Sequence, residues 1–139
     1  MNTEKVTLSI PSIFGYEEVL VETVGTVARA KDFPFEKVSK LKTAVAEACV
    51  NAIEHGNKAD PAKAVVVTII CETGSMRVSV KDSGGGDFQP NFQMPDIKKQ
   101  LEEKQLGGWG MYLMHTLVDE VEVDVVPGEG TTTKMTIHS

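Results

Sequence analysis

With 139 residues, 41% of them apolar and 24% charged, the chain has the size and make-up of one folded domain, which excludes a disordered segment. A net charge of -6 argues against broad attraction to nucleic acid or to an anionic membrane. The two cysteines, Cys49 and Cys71, sit inside apolar patterns and are too few for a disulfide scaffold or a four-ligand zinc site, so buried thiols in a reducing compartment are expected.

The start, MNTEKVTLSIPS, has no basic run followed by a long apolar one, and no segment approaches the roughly 20 apolar residues of a membrane helix. A cytoplasmic location is the expectation. Residues 5–10 alternate apolar and polar as a half-buried strand does, and Pro11 ends the run. From Tyr16 to Ala30 the positions Val19, Leu20, Thr23, Val24 and Val27 follow helical spacing, with Gly25 weakening the middle. A second helix is predicted from about Phe35 to His55, with Val38, Leu41, Val45, Cys49, Ala52 and Ile53 as its buried stripe, and Gly56 and Asn57 as its stop.

Residues 64–72 and 76–82 read as strands joined by TGS, which is hairpin spacing with a glycine available for positive φ. Residues 121–126 and 132–138 form a second such pair across PGEG. Strands that come in adjacent hairpins, and not in regular strand-helix alternation, predict an α+β fold. Between the hairpins lies an irregular stretch rich in Gly, Pro, Asn and Gln, then a charged segment, then LGGWG. Long loops of this kind inside compact domains are functional lids or disordered. With no repeat and no linker, residues 1–139 are expected to form a single domain.

Three places carry chemistry. In EACVNAIEHG, residues 47–56, helical projection puts Glu47, Asn51 and Glu54 within about 60° of one another and away from the core stripe. That stripe is either a solvated face or a place where a carboxylate and an amide meet a ligand. The small Ala44 and Ala48 beside it would let another molecule approach the helix. The Asn51 amide oxygen suits Mg2+, an ion held by one or two protein oxygens plus substrate phosphates. Glu47, one turn earlier, is then placed to take a proton from an attacking hydroxyl.

The second place is DSGGG, Asp82 to Gly86, at a strand end, where glycine permits close backbone approach and Asp82 can accept a hydrogen bond from an exocyclic amine on a base. A merely flexible loop is the alternative. The third is LGGWGMYLMHTLV, residues 106–118, whose glycines precede an apolar helical pattern. Free N–H groups and the helix dipole at such a start attract phosphate. The spacing fits neither the P-loop nor the dinucleotide fingerprint.

In this order the three segments resemble the N box and the two glycine boxes of the ATPase superfamily that includes gyrase, the ninety-kilodalton heat-shock chaperone and the histidine kinases. Within it the chain looks most like the anti-sigma factor serine kinases, through KLKTAVAEACVNAIEHG and the closing VDEVEVDVVPGEGTTTKMTI. The resemblance implies a Bergerat-type ATP-binding fold: a two-layer α/β sandwich with helices on one face of a mostly antiparallel mixed sheet. It implies Asn51 as Mg2+ holder, Glu47 as catalytic base, Asp82 reading the adenine amine, and Gly84 and Gly86 shaping that pocket. It further implies Gly108 and Gly110 at the phosphates, residues 87–106 as a lid over ATP, and Thr132 near the adenine.

The run Asp87-Phe88-Gln89-Pro90 departs from the family's usual apolar residue followed by Asp-Pro, so the lid is expected to begin differently. Implied partners are a sigma factor and a small serine-bearing anti-sigma factor antagonist, with the chain as a homodimer and with no direct contact to nucleic acid or membrane. Arg29 is a lesser candidate for partner contact. Two alternatives stay open: an ATP-binding module that sequesters partners without phosphotransfer, and the ATPase domain of a histidine kinase. The latter fits less well, because the sequence has no dimerisation helix pair with a phospho-accepting histidine.

Overall fold

The computed structural model describes residues 3–85, 94 and 109–139. Along the chain run β1 (Glu4–Pro11), α1 (Glu17–Ala30), α2 (Phe35–Asn51) continued by a π turn (Ala52–Gly56), β2 (Ala64–Glu72), β3 (Ser75–Lys81), α3 (Trp109–Leu117), β4 (Glu120–Val126) and β5 (Gly130–His138). Among the described residues the strands order as β1-β2-β3-β5-β4 and every pairing is antiparallel, so this sheet is antiparallel throughout where a mostly antiparallel mixed one was expected. The strand spans agree with the period-2 reading to within two residues at each end. In the β2–β3 hairpin Glu72 lies opposite Ser75, so the loop is the two residues Thr73 and Gly74, and Gly74 takes a φ of 78° that its neighbours would resist.

Alternation decides which face of the sheet is covered. Val65, Val67, Ile69 and Cys71 of β2 are buried, as are Met76, Val78 and Val80 of β3, and the register sets them beside Met135 and Ile137 of β5 on one face. Leu20, Val24 and Ala28 of α1, Val38, Leu41, Val45 and Cys49 of α2, and Met114 of α3 close over that face in one apolar cluster. Each such large side chain contributes about 1.5–3 kcal/mol when removed from water. The opposite face carries rows such as Thr68, Ser79, Lys134 and Glu122, which needs no cover. The architecture is therefore α+β, a helical layer on one face of an antiparallel sheet.

The expected weakness at Gly25 does not interrupt α1. Gly25 is buried against α2, and a Cβ there would lie 2.9 Å from Lys42 Cδ, so the missing side chain lets Lys42 cross to its partner Glu22 at 3.0 Å. Packing outweighs the intrinsic cost of about 1 kcal/mol for a helical glycine. The connection out of β3 positions the site. Lys81 pairs with Thr132, so the next residue of the first strand, Asp82, meets the preceding residue of the other, Thr131.

Candidate functional site

The predicted helix from Phe35 to His55 forms, but it is α-helical only to Asn51. Beyond that the turn widens, with the Asn57 N–H donating to the Ala52 carbonyl at 2.8 Å and the Ala59 N–H to the Ile53 carbonyl at 2.7 Å. Single π turns of this kind re-aim the residues that follow and recur at functional sites. Here the turn sends Ala52, Ile53 and Gly56 inward and leaves Glu54 and His55 exposed, 3.9 Å apart. The stripe projected with a constant 100° step thus breaks after Asn51: Glu54 belongs to the solvated side.

Gly56 is carried against Asp82, and a Cβ at position 56 would collide with the Asp82 carboxylate. A Cβ at Gly84 would collide with the Gly56 carbonyl, and one at Gly130 with the Asp82 carbonyl. Three chain segments meet here at distances that only glycine permits. Asp82 itself is 5% exposed. Its Oδ1 accepts the N–H of Gly84 at 3.0 Å and that of Thr131 at 3.1 Å, while its own N–H donates to the Thr131 carbonyl at 3.0 Å. Backbone donors satisfy a buried carboxylate without neutralising it. Among the described residues Oδ2 accepts no hydrogen bond, which leaves it as the acceptor for a donor from outside.

Asn51 and Asp82 come to one cleft. It is lined by these two with Ala48, Ala52, Val80, Thr131 and Thr133, and encloses about 10 Å3, roughly room for one water. Glu47, half-buried and one turn earlier, borders a different depression. That groove between α1 and α2 measures about 740 Å3 and carries Glu17, Glu18, Glu22 and Lys42 as well. Ala44 does not keep the helix surface approachable, because it is fully buried in the core; Ala48 is 3% exposed and lines the cleft.

One residue expected here lies elsewhere. Thr132 points to the far face of the sheet, in a row with Lys81 and Asp124, whereas Thr131 and Thr133 face the cleft. Successive side chains of a strand alternate faces, so a one-position error in the run of threonines moves the side chain across the sheet. Gly84 packs on Gly56, and Gly110 lies in the first turn of α3. Gly86 and Gly108 lie outside the described residues, as does the segment 87–106 apart from the exposed Met94.

Sequence reasoning missed Gly56, Asn57, Gly130 and Thr131. The signal for the glycines was absent from any single element, since each is needed only where another segment approaches. Both cysteines are buried and free. Burial pushes the Cys49 thiol up to about 12, with the Glu17 carboxylate adding to the effect. Burial also raises Cys71, against the opposing pull of Lys31.

Among the described residues no group of three or more His, Cys, Asp and Glu side chains is arranged to hold a metal ion. An oxygen donor in the cleft lining is the Asn51 amide, of a type that fits a hard cation bringing most of its oxygens with it as phosphate and water. No described helix is long and apolar enough to cross a membrane.

Residues 16–137 match the histidine kinase-like ATPase domain. The chain belongs to that family. Over 137 residues it is 29% identical to serine-protein kinases RsbW of Bacillus thuringiensis and Bacillus anthracis, covering 96% of this chain and 84% of each relative. Its fold is similar to that of a Mycobacterium tuberculosis chain whose crystal structure contains RsbU and RsbW domains, with a TM-score of 0.70 and 18% identity. The alignment takes in 97% of this chain and 32% of that one. The family's matched span includes α2, the π turn, Asp82 and β5, the elements that build the cleft.

Proposed function

We propose that residues 1–139 act as one ATP-dependent serine protein kinase unit that phosphorylates a serine on an anti-sigma factor antagonist and also binds a sigma factor. The observation that carries this reading is the meeting of Asn51 and Asp82, from separate elements, in one cleft with Glu47 a single helical turn away. Relatives named as serine-protein kinases support the reaction type.

In this reading Asp82 Oδ2 accepts the adenine amine, and the glycines packed around Asp82 let the neighbouring segments close on it and hold it in place. Thr131 and Thr133 line the same cleft. Asn51 holds Mg2+, and when bound that ion neutralises charge on the phosphates. Glu47 takes the proton from the acceptor serine as its oxygen bonds to the γ-phosphorus; the bond to the bridging oxygen breaks and ADP leaves. Positioning and charge stabilisation supply most of the rate in such transfers, so a small site suffices when the partner brings the acceptor. Gly84, Gly86, Gly108 and Gly110 provide backbone around base and phosphates, and the chain works as a homodimer.

A second reading, an ATP-binding module without transfer, draws on one observation: Glu47 borders the α1–α2 groove and not the Asn51 cleft. Titration with ATP and Mg2+, together with transfer of labelled γ-phosphate to a candidate antagonist, separates the two. Kinase action requires both binding and transfer, and Asn51→Ala weakens metal-dependent ATP binding by about tenfold or more. Binding without transfer to any antagonist selects the module, and metal-dependent affinity untouched by Asn51→Ala removes that residue from its role.

A further inference from the structure

Asn57 follows the π turn and is fully buried, yet each of its polar groups is bonded. Its N–H donates to the Ala52 carbonyl at 2.8 Å and its carbonyl accepts from Asp60 N–H at 3.0 Å. Its side-chain Nδ2 donates to Ser12 Oγ at 2.8 Å and to the Ala64 carbonyl at 3.1 Å, and Oδ1 accepts the Ser83 N–H at 2.8 Å. The amide has one possible orientation, because a carbonyl can only accept and a backbone N–H can only donate. Ser12 Oγ in turn donates to the Lys63 carbonyl at 2.7 Å, so the chain of bonds ends on fixed backbone. One side chain thus ties the end of β1, the start of β2 and the π turn to the loop after β3.

The attachment point on that loop matters. Ser83 lies between Asp82 and Gly84, and the Gly84 N–H is one of the two donors that occupy Asp82 Oδ1. If the Ser83 amide is released, the Gly84 donor loses its aim, Oδ1 keeps only the Thr131 N–H, and the carboxylate is held less tightly in its direction. We propose that Asn57 is a positioning residue that fixes the direction of Asp82 Oδ2 and thereby sets selectivity for a purine carrying a 6-amino group. This rests on the reading that Asp82 meets that amine. Packing alone would not require an amide here, and an apolar side chain would strand the Ser83 N–H and the Ala64 carbonyl.

The test compares ATP with purine riboside triphosphate, which lacks the 6-amino group, for the unmodified protein, Asn57→Ala, Ser12→Ala and Asp82→Asn. Affinities are read by calorimetry on folded protein, with amide hydrogen exchange at Ser83 and Gly84 as a second readout. The preference for ATP is expected to fall by about tenfold in Asn57→Ala, toward that of Asp82→Asn, and by less in Ser12→Ala. Exchange at Ser83 and Gly84 is expected to accelerate beyond the change in global stability in both. If melting temperatures drop while the preference and the local exchange stay as in the unmodified protein, Asn57 is only a structural residue and the proposal is overturned. Should Asn57→Ala fail to fold, Ser12→Ala decides by the same two readouts. An unmodified protein that binds both nucleotides equally sinks the role of Asp82 instead, and local exchange then judges Asn57 alone: acceleration supports positioning, and its absence overturns it.

Discussion

The two flanks of the last turns of α2 are built on opposite terms. Toward the sheet, Asn51 and Asp82 face a cleft of about 10 Å3, where glycines pack against Asp82 and backbone N–H groups hold its carboxylate. Toward α1, Glu47 borders a groove of about 740 Å3 whose charges stand in contact with solvent. A fixed acceptor in a closed place discriminates by geometry, since a donor that is missing or misplaced leaves it unpaired. Charges in an open groove are screened and adaptable, which suits the approach of a partner. In the proposed kinase the first flank reads the nucleotide, the second admits the acceptor, and one helix keeps them in step.

The largest expected effect separates the flanks by function. Glu47→Gln should lower phosphoryl transfer by roughly a hundred- to ten-thousand-fold while ATP affinity changes by less than about twofold. Steady-state transfer and calorimetry measure the two, and a parallel loss of binding would merge the flanks into one site. Next, Gly56→Ala drives a methyl into the Asp82 carboxylate and should cost about 1–3 kcal/mol in urea unfolding, with ATP affinity falling as well. Unchanged stability would mean that the closed flank is looser than its glycines indicate.

Cys49 reports on the depth of burial behind the cleft. Its thiol is raised to about 12 in the folded chain against an ordinary value of 9.0. The folded state therefore keeps a proton that the unfolded state sheds, so this contribution to stability is complete below pH 9 and is lost as pH rises toward 12. Urea midpoints measured from pH 8 to 10.5 should fall more steeply for the unmodified protein than for Cys49→Ala. The smallest effect belongs to the open flank: a double-mutant cycle on Lys42 and Glu22, whose side chains are 28% and 67% exposed, should give a coupling below about 1 kcal/mol that shrinks with salt.

Most of the framework was legible because it rests on periodicity. The stripe Val38, Leu41, Val45, Cys49, Ala52 and Ile53 is buried throughout, and both hairpins form where turn residues interrupt alternating runs. Of the candidate site, the juxtaposition of Asn51 and Asp82 was legible, and the two do line one cleft. What failed required a register. Thr132 was separated from Thr131 and Thr133 by strand parity, which three consecutive threonines conceal. Glu54, projected onto the stripe of Glu47 and Asn51, takes the solvated of the two readings, because the regular helical step gives way to a π turn. Asn57 looked like a helix stop, and nothing local to it predicts partners at Ser12, Ala64 and Ser83.

The π turn also sets what length changes this chain can accept. Deleting one residue between 52 and 56 would let the helix run on with ordinary α spacing, which looks like an improvement. It would also swing everything downstream by about 100°, turning Gly56 away from Asp82 and Asn57 away from Ser83. The surplus residue is thus a phase correction between helix and sheet, and in this stretch a deletion would be less forgivable than a substitution.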